Sequence, residues 1–246
     1  MTHVHCYGLE HPAKNKTLKT TLILLPGLNG TTGFFNPLLE CVQGHFEVLA
    51  ISYPVNEEKS YPELTSYVLD KIKTVKGNYI ILGESFSGPI SLFVSGNKPE
   101  GLIGVALVAT FITAPNFKVG KLLPWRLGFS LTRPLYRIRL ALSKDKNQSL
   151  ISNISTEMQK VSPRVLSARI RQIFMVNATE SQRNCAVPVI YFRGTRDYVV
   201  PRKNLVEIMS VKSDIKVVEF NAQHFLLQSE PVQAFTEIKK FAEDCL

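Results

Sequence analysis

Tryptophan occurs once in this chain of 246 residues, and cysteine four times. Cys6, Cys41, Cys185 and Cys245 stand far apart with no C-x-x-C pair. That spacing excludes a disulfide-framed miniprotein and a zinc ribbon, and fits reduced thiols. No stretch reaches the roughly 18 uncharged apolar residues of a membrane span. The start, Met1-Thr2-His3-Val4-His5-Cys6-Tyr7, lacks the basic opening and apolar run of a secretory leader, so a cytoplasmic protein is expected. Linker-like Gly/Ser or charge runs and internal repeats are missing as well. His3, His5, Cys6 and His11 lie near one another, but no further ligand or supporting shell is visible beside them. They read as a tail or edge strand, and no metal is expected.

What is present suffices for one large domain over residues 1–246: 45% of residues are hydrophobic and the mean hydropathy is +0.04. The net charge of +9 is unevenly placed. Between Phe111 and Leu150 eight basic residues face one acid, Asp145, so the other 206 residues carry only +2.

Thr20 to Leu25 is a continuous apolar run stopped by Pro26-Gly27, as expected of a central parallel strand covered on both faces. Residues 34–42 follow as a helix with Phe34, Phe35, Leu38, Leu39 and Val42 on one side. Then come a strand over 46–53, a helix over 61–76, a strand over 79–83 and a helix opening at Pro89. A strand over 102–109 completes this half. The alternation predicts an α/β chain with a mostly parallel central sheet and helices on both faces. From Phe111 to Leu150 no strand is expected. Prolines divide short amphipathic pieces there, and the stretch reads as a helical cap insertion, reaching on its widest reading to about residue 178. One or two helices over 154–178, a strand over 187–192, a helix over 201–209, a strand over 215–220 and a helix over 232–241 complete the chain.

The informative stretch is Tyr79-Ile80-Ile81-Leu82-Gly83-Glu84-Ser85-Phe86-Ser87-Gly88. A serine on a sharp strand-to-helix bend needs small residues two positions away on either side, and Gly83 and Ser87 provide them. The bend exposes the Ser85 hydroxyl and puts the Phe86 N–H at a helix start, where donors are unpaired. Ser87 is the local rival as nucleophile, but Pro89 would then occupy the small position after it.

This pattern resembles the nucleophile elbow of the α/β-hydrolases, with Ser87 where a second glycine is usual. The resemblance implies the α/β-hydrolase fold and a triad in the chain order Ser, acid, His. Asp197, in Gly194-Thr195-Arg196-Asp197, and His224, in Asn221-Ala222-Gln223-His224-Phe225, each follow an expected late strand and fill those roles. The oxyanion donors are then the N–H groups of Phe86 and Leu28, with Gly27 letting the backbone bend toward the substrate oxygen. Gly27, Asn29, Trp125 and Phe225 are the candidate substrate contacts. The glycine-rich loop at Pro26 to Gly33 could instead cradle phosphate, but it lacks the Gly-Lys-[Ser/Thr] ending of a P-loop.

With Leu24-Leu25-Pro26-Gly27-Leu28-Asn29-Gly30-Thr31-Thr32-Gly33 and Gly88-Pro89, the chain is similar to small microbial esterase or lipase-like serine hydrolases, and more remotely to the hydrolase part of plant phytyl ester synthases. It departs from the common His-Gly oxyanion motif in having Pro26 before Gly27, and from the plant enzymes in that no added acyltransferase domain is expected. The resemblance implies cleavage of a small-molecule carboxylic ester through an acyl-enzyme, without cofactor. An acyltransferase or thioesterase with the same triad is the alternative, and a non-catalytic binding protein on this scaffold is another. Nucleic-acid binding is not expected, because the basic insertion has few interleaved aromatics. Its mixture of arginines and apolar residues does suit peripheral contact with a lipid surface.

Overall fold

A computed structural model describes residues 19–115 and 148–246. The bulk of the expected insertion, with Trp125, and the group His3, His5, Cys6 and His11 lie outside the described residues.

Six parallel strands form one sheet in the order β2-β1-β3-β4-β5-β6. They are β1 (Thr21–Leu25), β2 (Glu47–Ala50), β3 (Tyr79–Glu84), β4 (Leu102–Val108), β5 (Val189–Gly194) and β6 (Lys216–Phe220). Successive side chains of a strand point to opposite faces, and β1 shows both faces being used. Leu22 and Leu24 join one core with Ile80, Leu82, Ala106, Ile190 and Phe192. Ile23 and Leu25 join another with Tyr79 and Ile81. All five residues of β1 are buried, so it reads as an unbroken apolar run. Truncating such a leucine to alanine costs about 2–5 kcal/mol.

The α-helices of the described residues are α1 (Asn36–Val42), α2 (Tyr61–Ile72), α3 (Gly88–Gly96), α4 (Gln148–Gln159), α5 (Pro163–Met175), α6 (Thr179–Arg183), α7 (Arg202–Val211), α8 (Leu226–Ser229) and α9 (Pro231–Asp244), the last two following β6. On one face, Leu38 and Val42 of α1 meet Leu226 and Leu227 of α8 and Ile238 and Phe241 of α9. On the other, Leu64 and Val68 of α2 pack with Ile90 and Val94 of α3, and Leu205 and Ile208 of α7 pack with Tyr191. No helix among the described residues is long and apolar enough to cross a membrane.

Several boundaries differ from the sequence expectation. The second strand ends at Ala50 rather than 53, because its neighbour β1 stops at Leu25. The chain beyond still leans on the same edge, Ile51 N–H donating to Leu24 and Tyr53 N–H to Gly30. The helix expected over 61–76 is opened by a Ser60–Glu63 capping box but ends at Ile72. Val75 closes a turn onto Ile72, and Gly77 follows at φ +75. The strand expected over 187–192 begins at Val189, its ladder to β4 opening where Val105 N–H meets the Pro188 carbonyl. Pro163 does divide two helices, α4 and α5. The short helices α6 and α8 were not expected.

Candidate active site

The site lies at the carboxyl ends of β1, β3, β5 and β6. Ser85 follows β3 with φ +50, a left-handed conformation that a serine adopts at a cost of about 1–2 kcal/mol. Its neighbours keep it there. A Cβ on Gly83 would lie 2.1 Å from Ser91 Oγ and 2.6 Å from the Ser87 carbonyl oxygen, and one on Gly88 would lie 2.1 Å from Thr110 Oγ1. Only hydrogen fits at either position, so the chain can bend this tightly. The Ser85 carbonyl accepts from Thr110 Oγ1, and Thr110 is fixed in turn by Tyr191, whose hydroxyl donates to the Thr110 carbonyl at 2.8 Å.

The other two residues expected beside Ser85 reach it from the ends of β5 and β6, beyond β4 in the sheet. Asp197 follows β5, where its Oδ1 accepts the N–H groups of Val199 and Val200 at 2.8 and 2.9 Å. Its Oδ2 meets His224 Nδ1 at 2.8 Å, and His224 Nε2 lies 3.0 Å from Ser85 Oγ. A carboxylate can only accept, so Nδ1 carries the hydrogen, which leaves Nε2 free to accept the Ser85 proton. The two late loops are tied together below the site. Thr195 and Arg196 donate to the carbonyls of Phe220 and Ala222 at 2.8 and 3.0 Å. A Cβ on Gly194 would strike the Gln223 carbonyl oxygen at 2.5 Å.

Burial pushes the His224 pKa down, but the charge and hydrogen bond of Asp197, with the charge of Glu84, outweigh it and hold it above the ordinary imidazole value. Glu84, next to the candidate nucleophile, is itself buried. Burial raises its pKa against the opposing effects of a hydrogen bond from Gln228 and the nearby imidazole. Gln228 Nε2 lies 3.0 Å from Glu84 Oε1 and also donates to the Phe34 carbonyl.

The loop after β1 runs alongside. A Cβ on Gly27 would come 3.8 Å from Ser85 Cβ, so the start of this loop lies beside Ser85. Asn29 does not face outward. It is 1% exposed, and its Nδ2 is taken up by Thr31 Oγ1 at 2.5 Å. Phe225 stands beside His224, its ring centroid 5.5 Å from the imidazole and 5.8 Å from that of Phe34. Among the described residues no three His, Cys, Asp or Glu side chains gather in a way that could hold a metal ion.

Sequence reading missed Tyr53, Glu84, Thr110, Arg169, Tyr191 and Gln228, all of which brace this site. Arg169 alone left a signal. It sits on the stripe Val165, Arg169, Ile173 of α5, where helical spacing calls for an apolar residue.

No protein-family model matches the chain, and no curated protein matches it in sequence. Solved structures do match. The enol-lactonase of Burkholderia xenovorans LB400 superposes with a TM-score of 0.80 at 16% identity, over 91% of each chain. The chain has the α/β-hydrolase fold. Two other structures share this α/β-hydrolase architecture with it. An esterase of Exiguobacterium antarcticum gives a TM-score of 0.80 at 13% identity, over 91% of this chain and 92% of its own. A structure from work on carboxylesterases of Nitrososphaera gargenis gives 0.79 at 14% identity, over 92% of this chain and 91% of its own.

Proposed function

We propose that this α/β-hydrolase chain is a serine hydrolase cleaving carboxylic esters through an acyl-enzyme on Ser85. The observation carrying the reading is the continuous line of hydrogen-bonding atoms from Ser85 Oγ through His224 to Asp197, 3.0 and 2.8 Å long. Ser85 Oγ attacks the acyl carbon while His224 Nε2 takes its proton. Asp197 holds the imidazole in the required tautomer and stabilises its cation. The carbonyl oxygen becomes an oxyanion, for which the N–H groups of Phe86 and Leu28 serve as donors. Collapse expels the alcohol, protonated by His224. Water, deprotonated by the same imidazole, then releases the acid and regenerates Ser85. Likeness in fold to an enol-lactonase and to esterases supports the ester bond as the target.

The test is reaction with a fluorophosphonate, together with turnover of p-nitrophenyl esters and matching thioesters of graded chain length. Covalent labelling at Ser85 and faster turnover of esters is the expected result. Labelling elsewhere, or no turnover of any member of either series, would overturn the reading. Faster turnover of thioesters would move the substrate class while leaving the triad in place.

A further inference from the structure

We propose that Arg169 is a positioning residue for the oxyanion site, holding the loop after β1 and polarising the Leu28 N–H through two peptide units. This rests on the serine-hydrolase reading above. Arg169, on α5, is 3% exposed. Its Nη1 donates to the carbonyls of Leu28 and Asn29 at 2.9 and 2.7 Å, and its Nη2 to that of Pro54 at 2.9 Å. The guanidinium also lies over the Tyr53 ring, 5.7 Å from its centroid. Burial is opposed only by Tyr53, and the pKa falls to about 10, so the group stays charged at neutral pH. Burying a cation on carbonyls is costly. A neutral amide could hold one or two of these oxygens, but it would supply no charge.

The peptide geometry says where the charge is felt. The Asn29 carbonyl shares its peptide with the Gly30 N–H, and that N–H donates to the Gly27 carbonyl at 2.9 Å. The Gly27 carbonyl shares its peptide with the Leu28 N–H. No peptide of the described chain is cis, so each N–H points away from its own carbonyl. A cation on the Asn29 oxygen therefore strengthens the Gly30 donor, and this bond in turn strengthens Leu28 as a donor on the far side of the turn. Ser87 closes the set by donating to the Pro26 carbonyl. All four carbonyls from Pro26 to Asn29 are thereby directed.

The loop's glycines fit the same device. Gly30 has φ +71, and a Cβ there would lie 2.3 Å from Arg169 Nη1. A Cβ on Gly33 would lie 2.3 Å from Glu157 Oε1. Glu157, on α4, takes the Thr31 hydroxyl at 2.5 Å, and Thr31 takes Asn29 Nδ2. Gly30 and Gly33 thus make room for two charged side chains that grip the loop from outside.

The experiment compares Arg169→Lys, Arg169→Gln and Arg169→Met with wild type. It reads p-nitrophenyl butyrate kinetics, inhibition by a trifluoromethyl ketone whose serine adduct carries an oxyanion, and amide hydrogen exchange over residues 27–30. The expected result for Gln and Met is a fall in kcat of about 100-fold, the order found on losing one oxyanion donor. KM should stay within about threefold, since the interaction strengthens in the transition state. Ketone affinity should fall in step with kcat, the loop amides should exchange faster, and Lys should recover part of both. Unchanged kcat, unchanged loop exchange, or a loss carried by KM with ketone affinity intact would each overturn the proposal. If Gln and Met fail to fold, Lys decides. It keeps the charge but cannot span three carbonyls, and wild-type kcat in Arg169→Lys would also overturn the proposal. Wild-type protein inert to every ester and to fluorophosphonate would instead remove the hydrolase reading, and the oxyanion role with it.

Discussion

Ser87 ties the nucleophile elbow to Pro26, its hydroxyl donating to the Pro26 carbonyl while accepting from Tyr53 at 2.7 Å. Ser87 and Tyr53 are both buried, and burial raises the Tyr53 pKa well beyond the ordinary phenol value, so the phenol remains a donor. The serine that replaces a glycine at this position in G-x-S-x-G is therefore a structural link between the elbow and the loop after β1.

Ser87→Gly should then be harmful, although it restores the more usual residue. It leaves the Tyr53 hydroxyl and the Pro26 oxygen without their partner, at a cost of about 1–3 kcal/mol. A lower melting temperature and reduced ester turnover are expected, measured by thermal unfolding and p-nitrophenyl butyrate hydrolysis. Equal stability in the glycine variant would show that the link contributes nothing.

Asp197→Asn should keep the fold, because the Asn oxygen can still accept the Val199 and Val200 N–H groups. It should lose roughly four decades of kcat, as expected when the imidazole is held in the wrong tautomer. Circular dichroism and ester kinetics check both halves. Near-normal kcat would mean that His224 needs no orienting acid.

On the proposed mechanism, the raised pKa of His224 should set the acid limb of the rate. The imidazole must be neutral to accept the Ser85 proton, so kcat/KM should climb with pH through an apparent pKa above 6.5. Glu84→Gln removes one of the charges that raise it, and the limb should move to lower pH. A pH profile of kcat/KM for both proteins decides this, and a limb that stays put or moves upward would contradict the assigned influence of Glu84. For stability the sign is reversed. A raised folded-state pKa stabilises the protein below about pH 6.5, and that contribution is lost as pH rises through the folded value.

Gly83→Ala should damage the elbow itself. The added methyl meets a backbone oxygen at 2.6 Å as well as a movable hydroxyl, and the oxygen cannot yield without shifting the bend. A loss of about 1–3 kcal/mol is expected from such overpacking, with slower fluorophosphonate labelling of Ser85. Wild-type melting and labelling would show that the elbow has slack.

The parts of this architecture legible in the sequence were those with local signatures. Thr20 to Leu25 announced a doubly covered strand by having no polar alternation, and Gly83 and Ser85 announced a bend by their sizes. Asp197 and His224 could be found because each falls within a few residues of a strand end. Arg169, Thr110, Tyr191 and Gln228 act across the fold from positions whose local pattern looks ordinary or merely odd. Asn29, a candidate substrate contact in the sequence, is buried with its amide on Thr31, which Glu157 of α4 holds from across the fold. The ends of β2 and α2 were misjudged because a neighbouring strand and a left-handed glycine set them, rather than the residues' own propensities.

The order of the strands bears on how the site comes into being. The connections from β1 to β2 and from β3 to β4 are short and that from β1 to β3 longer, whereas β5 reaches β4 only when Val189 pairs with Val105 across the longest connection of the sheet. Closing so long a loop is slow compared with local pairing. During refolding the strand carrying Ser85 should therefore be set before Asp197 and His224 arrive, giving a nucleophile that exists for a time without its base. Pulsed hydrogen exchange should show protection in β1, β3 and β4 ahead of recovered ester turnover. Simultaneous recovery would mean that the whole sheet condenses in one step.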